Sequence, residues 1–464
     1  MPPRLDGLPP EVVDNICRFL AEPCSSTDYT ERMLALISLG ATSQFIRARV
    51  LPHQYRHLKS FWEGCPGRFI SLHLLARTFM EHRHYATFTR TIEIPITPPE
   101  PTPSVFQSLK SESVQLLGLQ SSQSSLVAPG QWHQMTWKVQ HRFLLAFLLQ
   151  LAGTYAKKID IEVPAYFSTC STFVTDTGAM CDDGEPWYSC TSILPPLPSV
   201  EDLVLHQLFS VGNGHFMSMI GLPDAEFDRT MVQELRYQEM GDVDIHQFSK
   251  LKTLTLTHCS LSQEDLEDCF SLCPGLEHFY YYDSCSHSGM FEWQATPAYI
   301  IEALVPFQKK LKSLHINLDC TFSEHWNQVS LEDQAYSIRD LSQFQALEEI
   351  TFDRRAIWGS DDNCFTNLFS STPRLRKLTI THLISWEYEG MERLALDIRA
   401  GKHTCLRDII IHEASTEEDP AMIMYVEDQR EWLLKHLAAD GVNFHILETT
   451  HLEEIVKAHS KMSR

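Results

Sequence analysis

One spacing recurs along this chain and limits what it can fold into. It is an apolar residue, two intervening residues, a second apolar residue, one intervening residue and a third. It occurs at Val200-x-x-Leu203-x-Leu205, Leu251-x-x-Leu254-x-Leu256, Leu276-x-x-Phe279-x-Tyr281 and Leu311-x-x-Leu314-x-Ile316. It recurs at Leu347-x-x-Ile350-x-Phe352, Leu375-x-x-Leu378-x-Ile380 and Leu406-x-x-Ile409-x-Ile411. The last two apolar positions are two residues apart, so they share one face of an extended strand. The stretch Lys250 to Tyr282 holds one whole unit and the start of the next. After its strand, Ser262 reads as a helix N-cap, with Asp265 in place of the usual Glu of a capping box. Leu266, Phe270 and Cys273 then fall on one helical face, and Pro274-Gly275 stops the helix. Neither the strand nor the helix can bury its apolar side alone; stacked neighbours can.

Seven such units are the signature of a leucine-rich repeat. Two flanking patterns recur with them: Phe248-SKL-KTL-TL matches Phe344-QAL-EEI-TF, and Phe270-S-L-C-Pro274 matches Phe369-S-S-T-Pro373. After a first gap of 51 residues, successive starts lie 25, 35, 36, 28 and 31 residues apart. The expected fold is therefore α/β: an irregular repeat solenoid, a right-handed α/β horseshoe with insertions at its turns. A solenoid also accommodates 464 residues, long for one compact core. Arg430–Ala439 as helix and Val442–Leu447 as strand read as the closing unit.

Residues 5–60 have a different character. Leu8-Pro9-Pro10-Glu11 opens a helix striped by Val12, Ile16, Phe19 and Leu20. Leu34, Leu36, Ile37 and Leu39 form a second helix up to Gly40. Phe45, Ile46 and Val50 form a third, ended at Pro52. The runs LPPEVVDNICRFL and LALISLGATSQFIRARVLPHQYRHL resemble an F-box, and are similar in particular to fungal F-box proteins in which a Tyr-Arg pair, here Tyr55-Arg56, leads into leucine-rich repeats. The resemblance covers about an eighth of the chain. It implies a module over residues 1–54 that holds a Skp-type adaptor through Leu8, Pro9, Glu11, Ile16, Leu20, Leu36, Leu39 and Phe45. Residues 55–464 would form the repeat domain. It further implies a substrate receptor of a cullin–RING ubiquitin ligase, whose chemistry lies on the partners. The alternative is a repeat scaffold with no ligase link, its N-terminus serving as a helical cap.

Between the module and the regular repeats, Tyr55–Phe61, Thr89–Ile96 and Lys158–Val163 read as strands. Phe69–Met80 and Trp132–Leu151 read as helices. Residues 97–131, rich in Pro, Ser and Gln, read as a mobile surface insertion, and 164–196 as a second irregular one.

The net charge of −22 disfavours nucleic acid and anionic membrane as general partners. It favours a basic protein target. Residues 1–60 are nearly balanced, with 7 Lys/Arg and 6 Asp/Glu, so the remainder carries the acidity. Thirteen scattered cysteines, many at apolar positions, fit reduced core thiols in the cytoplasm or nucleus. Cys259, Cys269 and Cys273 in particular read as core. No signal-peptide pattern opens the chain, and the most apolar run, Phe143–Leu149, is too short to span a bilayer.

No phosphate loop, dinucleotide fingerprint or nucleophile elbow is present, so no catalytic residue and no cofactor is assigned. The pairs His53/His57 and His82/His84, and the set Cys170, Cys181, Cys190 and His206, lack the spacing of a zinc module. Aromatic residues just past strands suggest a target-binding rim at Tyr281, Trp293, Trp358 and Trp386. The competing reading packs them beneath their own loops.

Overall fold

The computed structural model describes residues 7–22, 26–59, 72–94, 145, 148–149, 151–162, 197–206, 248–259, 261, 263–283, 296–318, 337–357, 368–369, 372–383, 388–413 and 420–448. The insertions at 97–131 and 164–196 lie outside them, as does the N-cap residue Ser262. The chain is α/β and divides into two compact units, one of residues 1–206 and 214–251, the other of 207–213 and 252–464.

The first unit opens with three helices: α1 (Pro10–Ala21), α2 (Ser26–Gly40) and α3 (Gln44–Gln54). Pro10 sits at the first helical position of α1, where its missing N–H leaves no bond unmade. Ser43 caps α3, its Oγ accepting from the Ile46 N–H at 3.2 Å. Val13, Cys17, Ala21, Met33, Leu36, Ile46 and Val50 close a small core, with Leu8, Leu20 and Leu39 packed against it. Gly40 lets α2 approach α3: a Cβ there would stand 3.2 Å from Val50 Cγ1. The sequence suggests a break at Gly40, and the helix ends on it.

Helix α3 hands over to a run of parallel strands: β1 (His57–Lys59), β2 (Thr91–Ile94), β3 (Lys158–Glu162) and β4 (Asp202–His206). Leu58, Ile92, Ile159 and Leu203 are in register, as are Ile94, Ile161 and Leu205. All seven are buried. Helices α4 (Leu72–Glu81) and α5 (Arg83–Ala86) lie between β1 and β2 in the chain. Tyr55 joins the three-helix module to this run, its ring 5.6 Å from Phe79 and stacked 5.2 Å from Tyr85.

The second unit has seven parallel strands paired in chain order: β5 (Thr253–Cys259), β6 (His278–Asp283), β7 (Ser313–Asn317), β8 (Glu349–Asp353), β9 (Lys377–Leu383), β10 (Asp408–Glu413) and β11 (Asn443–Glu448). In every one of the seven motifs the strand starts two residues after the first apolar position. The register matches the motif too. Leu254, Phe279, Leu314, Ile350, Leu378, Ile409 and Phe444 form one row, and Leu256, Tyr281, Ile316, Phe352, Ile380, Ile411 and Ile446 the next. Each fully buried Leu, Ile or Phe contributes roughly 1.5–3 kcal/mol. The first motif residue closes a tight turn before its strand: Leu276, Leu347, Leu375 and Leu406 donate their N–H to the carbonyls of Cys273, Phe344, Thr372 and His403.

The α-helices described in this unit are α6 (Gln263–Ser271), α7 (Pro297–Ala303), α8 (Tyr388–Arg399) and α9 (Pro420–Ala439). Phe270 of α6 meets Phe279 of β6 edge to face at 5.0 Å, so the helix packs on the motif side of the strands. Two helices end alike. After α8, Gly401 at φ 80° places Lys402 N–H on Asp397 O at 3.0 Å; after α9, Gly441 at φ 75° places Val442 N–H on Leu437 O at 3.0 Å. Both are Schellman ends, which require a left-handed residue that glycine adopts without strain.

Candidate functional site

In the three-helix module, α1 carries two apolar stripes. Val13, Cys17 and Ala21 point into the core, while Val12, Ile16 and Phe19, at i, i+4 and i+7, are left exposed. Helix α2 divides the same way: Met33 and Leu36 are buried, and Leu34 and Ile37 are exposed. Phe45 adds an exposed ring at the start of α3. Of the eleven large hydrophobic side chains exposed among the described residues, these six fall within residues 12–45, at 38 to 59% exposure. Apolar surface concentrated so heavily in one small module makes this the candidate interaction face among the described residues.

Cations hold that face in shape. Arg32 of α2 lies 4.6 Å over the Phe19 ring and donates to the Phe19 carbonyl at 3.2 Å, tying α2 to the exposed stripe of α1. Arg49 of α3 lies 5.9 Å from the Phe45 ring centre and pairs with Asp14 of α1 at 2.9 Å. These contacts restrict the rotamers of both rings.

The eight residues assigned to this face from sequence separate into groups. Ile16 and Phe45 are exposed on it, and Pro9 and Glu11 are exposed at the start of α1. Leu8, Leu20 and Leu39 are half-buried against the module's own core. Leu36 is a correction: it is fully buried beside Val13, Cys17 and Ile46, and presents nothing to a partner. The sequence reading missed Val12, Phe19, Leu34 and Ile37 as face residues. Their signal was present, because each helix has more apolar residues than one face can bury, and 100° steps separate the two sets.

Tyr281 is the second correction. It occupies the final motif position, level with Leu256 and Ile316, and is fully buried; its hydroxyl donates to the Cys259 carbonyl at 3.3 Å. Strand alternation sends it inward with the leucines. Trp293, Trp358 and Trp386 lie outside the described residues. On the opposite side of the strands, the Tyr280 and His315 rings meet at a tilt of 51°, their centres 4.3 Å apart. Over β7 to β9 that side is closed: Ser313, His315, Asn317, Thr351, Asp353, Thr379 and Thr381 are all buried. Burial, with Tyr280 beside it, pushes the Tyr282 phenol well above its usual range, so it stays neutral.

Among the described residues no three His, Cys, Asp or Glu side chains gather to hold a metal. His57 Nδ1 is 2.8 Å from Thr91 Oγ1 and His206 Nε2 is 2.7 Å from Asp160, so each ring is engaged within the first unit. Cys170, Cys181 and Cys190 lie outside the described residues. Cys259, Cys269 and Cys273 are buried free thiols. Hydrogen bonding to Cys273 and burial raise the Cys269 thiol well above its ordinary range, which keeps it protonated. No described helix is long and apolar enough to cross a membrane.

The described residues therefore form an α/β fold of parallel strands in solenoid-like order, preceded in the chain by three helices. No protein-family profile matches the chain, and no curated protein sequence matches it.

Proposed function

We propose that the chain is the substrate-recognition subunit of a Skp–cullin–F-box-type ubiquitin ligase. The three-helix module is the F-box, and Val12, Ile16, Phe19, Leu34, Ile37 and Phe45 hold a Skp-type adaptor. The strands and helices that follow are leucine-rich repeats that hold a target protein for ubiquitination and proteasomal degradation. The chain supplies proximity; bond making belongs to the conjugating enzyme that the cullin and RING subunit bring.

One observation carries this reading: a module with its own closed core that still exposes six large hydrophobics along two of its helices and the start of the third. A helical cap has no need of a second apolar stripe, since its outer face would be polar. The scaffold reading draws on Tyr55, whose packing on Phe79 and Tyr85 makes the module continuous with the first strands, as a cap would be.

Co-expression with a Skp-type adaptor separates the two. The ligase reading requires co-migration on gel filtration, and recruitment of the cullin–RING pair by the complex. Ile16→Asp/Ile37→Asp must abolish co-migration while leaving the repeats folded. Co-migration that survives this double substitution, or a wild-type chain that binds no adaptor, defeats the ligase reading and leaves the scaffold.

A further inference from the structure

The residue just before each strand occupies an equivalent place in every repeat, because its carbonyl accepts from the start of the next strand. In the second unit this column runs Lys252, Glu277, Lys312, Glu348, Arg376 and Arg407. From Lys252 to Arg376 the signs alternate. Lys312 pairs with Glu277, and Arg376 approaches Glu348 at 3.9 Å. Opposite charges at the spacing of neighbouring strands, about 4.8 Å, stabilise the ladder.

The first unit breaks the rule. There the column runs Arg56, Arg90, Lys157 and Glu201, with Arg90 N–H on Arg56 O at 2.8 Å and Lys157 N–H on Arg90 O at 2.7 Å. Three cations are stacked at strand spacing, all exposed. Among the described residues only the last meets a carboxylate, Lys157 to Glu201 at 2.7 Å. Like charges so placed cost stability. Arg90 Nη1 donates to neutral carbonyls, those of Thr87 and Thr89, each at 2.9 Å. Among the described residues neither Arg56 nor Arg83 has a carboxylate partner.

An aromatic bridge joins these cations to a second basic group. Tyr55, next to Arg56, stacks on Tyr85 at 5.2 Å. Tyr85 in turn meets His84 at 4.3 Å and His82 at 5.0 Å, on either side of Arg83. His82, Arg83 and His84 are exposed. Across residues 44–59 and 72–94 there are seven Lys/Arg against two Glu, in a chain whose net charge is −22. One of those Glu, Glu93, is already paired with Lys59 at 2.5 Å. Burial first, and Arg56 second, hold the His57 imidazole down at about 4 and lower His53 as well, a mark of the positive field at this edge.

We propose that the edge formed by Arg56, Arg83, Arg90 and Lys157, floored by Tyr55 and Tyr85, is a docking surface for an acidic polypeptide segment. Charge complementarity selects an anion, and the exposed guanidinium groups beside half-buried tyrosine rings suit carboxylates on a peptide with apolar neighbours. The chain's overall charge argues against a long polyanion. A duplex would run beyond the patch into the negative field of the remainder. A short segment is screened from that field beyond about 8 Å at physiological salt.

The test uses the full chain and a fluorescein-labelled peptide of Asp, Glu and Tyr, compared with its Asn/Gln/Tyr counterpart and with a labelled DNA duplex of similar charge. Fluorescence anisotropy should show binding of the acidic peptide alone, weaker by about tenfold as salt rises from about 50 to 300 mM. Arg56→Glu/Arg83→Glu should weaken it by about tenfold or more, while Lys250→Glu/Arg374→Glu, with the same change in net charge elsewhere, should alter it by less than about twofold. Should the reversal pair not fold by circular dichroism, Arg56→Gln/Arg83→Gln decides, with an expected loss of about threefold or more. Equal effects of the two reversal pairs overturn the proposal, as does no loss in the Gln pair. Equal binding of the neutral peptide, or tighter binding of DNA, also overturns it.

Discussion

Leu36 and Phe19 lie in the same three-helix module and should fail in opposite ways. Leu36 is fully buried among Val13, Cys17, Met33, Ile46 and Val50. Truncation to Ala removes its transfer free energy and leaves a cavity, costing about 2–5 kcal/mol of folding stability. A core of seven buried residues has little to spare. Phe19 is 59% exposed, and its described attachments are Arg32 above the ring and Arg32 on its carbonyl. Phe19→Ala removes only an exposed cation–π contact, about 0.5–1 kcal/mol. At an interface the same ring is an anchor, worth about 2 kcal/mol, so adaptor affinity should fall about thirtyfold. Biolayer interferometry against a purified Skp-type adaptor, with thermal melts of the same samples, reads both quantities. Phe19→Ala should melt near wild type and bind poorly; Leu36→Ala should lose its module transition altogether. A Phe19→Ala chain that binds within about twofold of wild type, together with a Leu36→Ala chain that melts normally, would refute the assignment of the two stripes.

Other expectations follow from single contacts. Gly40→Ala drives a methyl to 3.2 Å from Val50 and should destabilise the module by about 1 kcal/mol, read as a lower melting temperature. Gly441→Ala sits at φ 75° with open space around it, so its cost is backbone strain alone, about 1–2 kcal/mol by denaturant titration. His57 is held down to about 4 in the folded chain, chiefly by burial, so the unfolded chain takes up its proton first as pH falls. Its contribution is intact above about pH 6.5 and is lost as pH drops towards 4. His57→Gln should flatten the melting-temperature profile over that window. Tyr281→Phe should cost about 0.5–1.5 kcal/mol through the lost bond to Cys259 and leave target capture unchanged, because the ring is core.

The repeat strands were legible because register and motif are the same thing here. Each strand begins two residues past the first apolar position, and the two rows of the ladder are the second and third. The closing strand was legible from Val442–Leu447, without a full motif. Tyr281 was misread even though it fills a motif position. A preference for tyrosine at interfaces was set against strand alternation, and alternation decides, since a residue level with Leu256 and Ile316 must point with them. Leu36 was misread for a different reason. A run such as Leu34, Leu36, Ile37 and Leu39 is apolar on two faces, and sequence alone does not say which face meets α1 and α3. The charge column was illegible until β1, β2 and β3 were aligned, because Arg56, Arg90 and Lys157 are far apart in the chain and belong to no motif.

The central claim is that the apolar stripes of α1, α2 and α3 bind a Skp-type adaptor. Titration calorimetry of the full chain with the purified adaptor, repeated at several temperatures, tests it most directly. Burial of six large hydrophobics should give one-to-one saturable binding with a negative heat-capacity change, little affected by salt. No saturable heat at any temperature, or binding whose heat capacity does not change and whose strength collapses with salt, would contradict it.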